Sequence, residues 1–152
     1  MPLSRIVELG ATYTECLLVL LTTIHISGKK YKGKRNIGLI VFFSLFSTAI
    51  VDICNQWRGF SYMTPIVAMA TIVFVGSHFL STGSVLMRSI SCILSYLIIQ
   101  CVDYIVVILI GHLVGQPEDF YHIFVFSPGA NRISFLIIDK FIDVIIFISL
   151  YK

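Results

Sequence analysis

Apolar residues run almost without interruption through five stretches of the chain, at residues 6–26, 37–54, 64–80, 89–114 and 133–150. The short segments between them gather the charges, prolines and glycines. Each stretch is close to the roughly 17–25 residues that a helix needs to cross the hydrocarbon of a bilayer. None alternates apolar and polar positions over the ~10 residues of a barrel strand. The pattern predicts an all-α fold: a polytopic transmembrane helix bundle of about five spans, forming one domain over residues 1–152.

Composition narrows the class further. Of the 152 residues, 57% are drawn from the hydrophobic set and 12% are charged, with a mean hydropathy of +0.94. Soluble domains carry about 25% charged residues, so an ordinary cytosolic enzyme is excluded. Disorder is excluded as well, because low hydrophobicity and high net charge are what keep a chain unfolded. Five spans leave no room for a soluble catalytic domain. The first apolar run is long, starts at Ile6 and lacks a small-residue cleavage site, so it reads as a retained anchor and not as a signal peptide.

Charge then sets a direction. Lys29, Lys30, Lys32, Lys34 and Arg35 put five of the eleven basic residues into one connection. Its place between two apolar runs makes it a topology signal rather than a nucleic-acid surface. With that connection inside, Arg88 and Lys152 also fall inside, while Arg5, Arg58 and Arg132 fall outside. Cytoplasmic loops keep the positive excess, so the N-terminus is expected outside and the C-terminus in the cytoplasm, as an odd number of spans requires. Trp57, Tyr62, Tyr121 and Tyr151 fall near span ends, at headgroup level.

The longest connection, the outer loop 115–131, holds Glu118 and Asp119 just after Pro117, a helix-start pattern. Phe120, Tyr121, Ile123, Phe124 and Phe126 follow as an aromatic surface. It reads as a short interfacial or re-entrant segment; the competing reading is an apolar loop lying on the membrane.

Polar residues inside spans are candidate sites by default, because charge in a bilayer core is costly. Glu8, Thr12 and Glu15 share a face of the first span, with Thr22 further along. Ser44, Ser47, Thr48 and Asp52 form a stripe in the second. Cys92, Tyr96, Gln100 and Asp103 form one in the fourth, and the fifth carries Asp139, Lys140 and Asp143. All these faces are expected to point inward. For Ser44, Ser47, Thr48 and Cys92 the plain reading is helix-to-helix glue. Glu15 and Asp103 sit near mid-span with no basic neighbour in sequence, and Asp103 or Glu15 pairing with Lys140 across the bundle is one way to accommodate them. In the last span Lys140 and Asp143, three apart, neutralise one another; Asp52, Asp139, Lys140 and Asp143 are read as structural polar residues.

Catalysis and cofactor binding find no support. His25, His78, His112 and His122 share no helix face at metal-ligand spacing, so no metal site is expected. Cys16, Cys54, Cys92 and Cys101 lack the two-residue spacing of metal or redox sites and read as small buried hydrophobes. The glycines around Lys29–Lys34 have no strand-to-helix context for a phosphate loop, and no cofactor is expected.

Several local patterns together resemble one family. They are Glu15-Cys16-Leu17-Leu18 in the first span, the basic turn Gly28-Lys29-Lys30-Tyr31-Lys32-Gly33-Lys34, and Ser81-Thr82-Gly83-Ser84-Val85-Leu86-Met87-Arg88 before the fourth span. Asp103-Tyr104, Leu113-Val114-Gly115 and Arg132-Ile133 complete the set. The chain is similar to the N-terminal membrane sensor region of bacterial GHKL-type histidine kinases, the group that includes accessory-gene-regulator peptide receptors. The resemblance implies a multi-pass protein of the bacterial cell membrane that detects an extracellular signal such as a peptide. It implies a homodimer, or a heterodimer with a kinase-bearing relative, and a kinase attached beyond Lys152. By the same resemblance Glu15, Gln100, Asp103, Phe120, Tyr121 and Phe124 face the signal. The family's phosphoacceptor histidine is followed by an acidic residue, and no histidine in these 152 residues is. The expectation is therefore a sensor without catalytic output, either part of a longer kinase or a free-standing module. The alternative is a small multi-pass transport subunit whose inward carboxylates Glu15, Asp52 and Asp103 bind a solute or cation.

Overall fold

A computed structural model describes residues 3–31, 33–56, 63–114 and 130–150. The expectations for 115–129, with Phe120, Tyr121 and Phe124, and those for Trp57, Tyr62 and Tyr151, lie outside the described residues. Five helices occur where the apolar runs predict them: α1 (Leu3–Ser27), α2 (Lys34–Gln56), α3 (Met63–Leu80), α4 (Val85–Val114) and α5 (Ala130–Leu150). No strand is present among the described residues; the single bridge is Lys29 with Ser81. Helices are the answer such sequences require, because they satisfy every internal backbone group without water.

The ends of the helices follow local chemistry. Gly28, at φ 82°, takes the left-handed conformation that stops α1. Ser84 caps α4: the Met87 N–H lies 3.3 Å from Ser84 Oγ, and the Arg88 N–H donates to Ser84 O at 3.0 Å. This cap starts α4 four residues before the apolar run at 89, because a hydroxyl cap satisfies first-turn donors irrespective of hydropathy.

Three helices, α1, α2 and α4, are long and apolar enough to cross a membrane. The apolar part of α3, Thr64–Leu80, is shorter, and α5 carries Asp139, Lys140 and Asp143 in its middle. Large apolar side chains stay exposed along α2 and α4, among them Phe42, Leu45, Phe46, Ile53, Ile93 and Leu97. In water such faces are an aggregation hazard, and their composition is that of a surface suited to lipid.

The chain divides into two compact units, Thr12–Leu97 and a second made of Met1–Ala11 with Ile98–Lys152. In Thr12–Leu97 the interior is built from small groups. Ser44, Ser47, Ser77, Ser91 and Ser95 are fully buried beside Cys16, Val19, Leu20, Ile24, Val73 and Leu80. Small residues let helix backbones approach closely. Ser27 Oγ lies 3.2 Å from Ser91 Oγ, Thr23 Oγ1 lies 3.4 Å from Ser95 Oγ, and the Cys16 thiol lies 3.3 Å from Ser47 Oγ. Most of these hydroxyls also bond the carbonyl one turn back, as Thr23 does to Val19 O at 2.7 Å and Ser95 to Ser91 O at 2.6 Å. Those hydroxyls are satisfied without water, whereas Ser44 Oγ is buried without a hydrogen-bond partner.

At one end of this unit the connection after α1 pairs with the connection after α3. The Lys30 N–H donates to Leu80 O at 2.9 Å and the Thr82 N–H to Gly28 O at 3.0 Å. In the other unit Val106, Val107 and Phe135 form a small core with Val102, Ile110 and Ile142, and Arg132 Nε pairs with Glu8 Oε1 at 3.1 Å.

Candidate functional site

α5 carries Asp139, Lys140 and Asp143 within one helical turn, so the ammonium and both carboxylates reach one another from neighbouring positions. Asp103 of α4 completes the group. Lys140 Nζ lies 2.9 Å from Asp103 Oδ1, 3.0 Å from Asp139 Oδ2 and 2.9 Å from Asp143 Oδ2. Asp139 is 2% exposed, Asp143 4% and Lys140 7%, while the Asp103 side chain keeps 23% of its surface open. The pairing of Asp103 with Lys140, one of the options left by the sequence, is the arrangement found.

Three carboxylates therefore share one ammonium. Charges removed from water are stable only when each finds partners, and two oxygens here find none: Asp139 Oδ1 and Asp143 Oδ1 are buried without a hydrogen-bond partner. One oxygen each of Asp103, Asp139 and Asp143 lies within 4.8 Å of the other two. Hard oxygen donors so grouped suit a small cation, and the cation present is Lys140's own ammonium. The cluster is thus an acid site only partly balanced by its one ammonium, with Asp103 its most open member. It offers charge and hydrogen-bond acceptors; it contains no nucleophile paired with a base.

The remaining candidates lie elsewhere. Glu15 is half-buried on α1, in the unit Thr12–Leu97. Asp52 is half-buried near the end of α2 and accepts a 2.7 Å bond from Gln56 Nε2, one turn on. Ser44, Ser47 and Thr48 are buried, as is Cys92. Gln100 is not: it is exposed on α4, so the stripe Cys92, Tyr96, Gln100, Asp103 does not face inward as a whole. Cys92 already lies about 40° off the centre of the buried face, and two further steps of four, about 40° each, carry the line out to Gln100. The buried ridge of α4 instead runs Arg88, Ser91, Ser95, Ile99, Val106, in steps of three, four, four and seven.

Sequence reasoning also passed over Arg88. It is buried to 7% exposure, with Nη1 2.8 Å from His78 Nδ1 and 3.3 Å from His78 O. The signal available was an arginine and a histidine flanking the Ser-Thr-Gly-Ser turn. The Glu8–Arg132 pair and the buried hydroxyls of Ser91 and Ser95 were likewise missed; for the serines, the three-four spacing from Arg88 was the readable clue.

The geometry defines an all-helical protein with three membrane-capable helices and a buried aspartate–lysine cluster. Compared with known protein families, characterised proteins and solved structures, the chain matches none.

Proposed function

We propose that this chain is the membrane-embedded sensor region of a histidine-kinase-type receptor, detecting an extracellular signal such as a peptide and carrying no catalysis of its own. The observation that supports this reading most is the tie between Asp103 and Lys140. It joins α4 to α5, the two helices on either side of the longest connection, 115–129, which is the proposed signal-facing segment. A ligand that binds that segment differently in two packings of α4 and α5 shifts their balance by the difference in affinity. The tie is a discrete contact that one packing keeps and another gives up. The motif resemblance around Glu15, the basic turn, Ser81–Arg88 and Asp103-Tyr104 points the same way. Proposed with it are five spans, an N-terminus outside, a bacterial membrane, and dimerisation with itself or a kinase-bearing relative.

A second reading, a small transport subunit, is favoured by one feature: the three aspartate oxygens within 4.8 Å of one another. Proteoliposomes separate the two. With peptide fractions from the medium of the producing cells, the receptor reading expects saturable binding that disappears when 116–131 is replaced by a Gly-Ser linker. Accumulation of solute or cation in the lumen that survives this replacement, and is abolished by Asp103→Asn, overturns the receptor reading in favour of transport.

A further inference from the structure

The connection between α1 and α2 carries a group of cations and no acidic residue. Lys29, Lys30, Lys34 and Arg35 are exposed. The chain contains no acidic residue between Glu15 and Asp52, nor between Asp52 and Asp103. The turn and the Leu80–Ser84 segment against it are therefore free of carboxylates.

These cations are held in place. Gly28 and Gly33 take positive φ, 82° and 79°. Lys29 bridges to Ser81, with the flanking bonds Lys30 N–H to Leu80 O and Thr82 N–H to Gly28 O. A Cβ on Gly83 would come 2.8 Å from Ser27 O, so glycine is needed where the two connections cross. Above this base the Tyr31 ring receives two cations, Arg35 Cζ at 4.6 Å and Lys30 Nζ at 5.6 Å from its centroid. Cation–π contact fixes both side chains over the ring. For Lys30 and Arg35, part of the ordering cost that a flexible basic tail would meet on binding has been met in folding.

α1 ends and α2 begins at this turn, and both are apolar enough to cross a membrane. Between two such helices the turn lies at the level of lipid headgroups. From this charge complementarity we propose that Lys29, Lys30, Lys34 and Arg35, on the connection clamped to Leu80–Ser84, form a docking surface for the phosphate of anionic phospholipids. The proposal rests on the membrane reading and is independent of the signal that the protein receives.

The test uses the full chain in phosphatidylcholine vesicles containing about a third phosphatidylglycerol, with spin-labelled lipids reporting association at the protein surface. Phosphatidylglycerol is expected to associate more strongly than phosphatidylcholine, by about fivefold for each cation engaged, and the preference is expected to fade between about 0.05 M and about 0.5 M salt. The double variant Lys29→Gln/Lys30→Gln lowers the preference, whereas Lys29→Arg/Lys30→Arg keeps it, which separates lost charge from lost fold. Equal association of the two lipids with the natural protein overturns the proposal, as does an undiminished preference in the glutamine variant. Displacement of the lipid by inorganic phosphate at about 10 mM also overturns it, since the surface would then be a small-anion site. Release of the chain from vesicles by alkaline carbonate fails the membrane reading and the proposal together, a result distinct from membrane retention without lipid preference.

Discussion

Lys140 Nζ and Asp103 Oδ1, 37 positions apart in sequence, lie 2.9 Å from each other and join α5 to α4. The same ammonium also serves Asp139 and Asp143, so its removal leaves three carboxylates facing one another. Lys140→Met is expected to destabilise the fold by about 3–5 kcal/mol, the usual cost of breaking a buried ion pair from one side. Adding Asp103→Asn, Asp139→Asn and Asp143→Asn to the same chain is expected to recover much of this loss. Thermal unfolding in detergent checks both, and a quadruple variant less stable than the single one contradicts the charge argument.

Gly76 of α3 faces Phe43 of α2 so closely that a Cβ would fall 2.9 Å from the ring Cγ. Gly76→Ala is therefore expected to cost roughly 1–3 kcal/mol, as overpacking does. The aromatic ring is the obstacle, so Phe43→Ala in the same chain should absorb the new methyl group. A double-mutant cycle by thermal unfolding reads the coupling; strictly additive losses would show that the two residues do not meet.

Gly83→Ala tests the crossing of the two connections. The obstacle there is the backbone oxygen of Ser27, 2.8 Å from the added carbon, which no rotamer change relieves. The variant is expected to lose slow hydrogen exchange at the amides of Lys30 and Thr82, which donate across the crossing, while exchange in the middle of α2 stays unchanged. Retained protection at both amides would mean that the turn is not built in this way.

Topology is open to cysteine labelling at Lys30→Cys, exposed in the basic turn, and at Gln116→Cys in the long connection. Ser27 would be a poor position, because it is buried against Ser91. Membrane-impermeant reagent is expected to reach Lys30→Cys from the cytoplasmic side and Gln116→Cys from the other. Labelling of both from one side contradicts five alternating spans.

Helix number and position were legible because hydropathy alone decides which segments leave water, and α2 (Lys34–Gln56) and α3 (Met63–Leu80) depart from the apolar runs at 37–54 and 64–80 by three residues or fewer. Helix starts were less so: the four-residue extension of α4 depends on the Ser84 hydroxyl, to which a hydropathy profile is blind. Within the site, Asp139, Lys140 and Asp143 were grouped by sequence proximity, which places residues three and four apart on one face. Asp103 required a tertiary partner, and sequence supplied Lys140 only as an option. Gln100 was misplaced because its line starts off-centre on the buried face, at Cys92, and each step of four carries it further out. The buried ridge through Ser91 and Ser95 uses small polar residues, whose burial depends on how closely a second helix approaches and so has no signature in one segment alone.

α4 has 30 residues, which at 1.5 Å each makes it roughly 45 Å long, against a hydrocarbon layer of about 30 Å. Even a lean of about 40°, the upper end of what spanning helices adopt, leaves it longer than the layer is thick. In a bilayer this helix both slopes and projects. A thinner membrane lays such a helix flatter and a thicker one stands it up, so bilayer thickness acts as a mechanical load on the segment that bears Asp103.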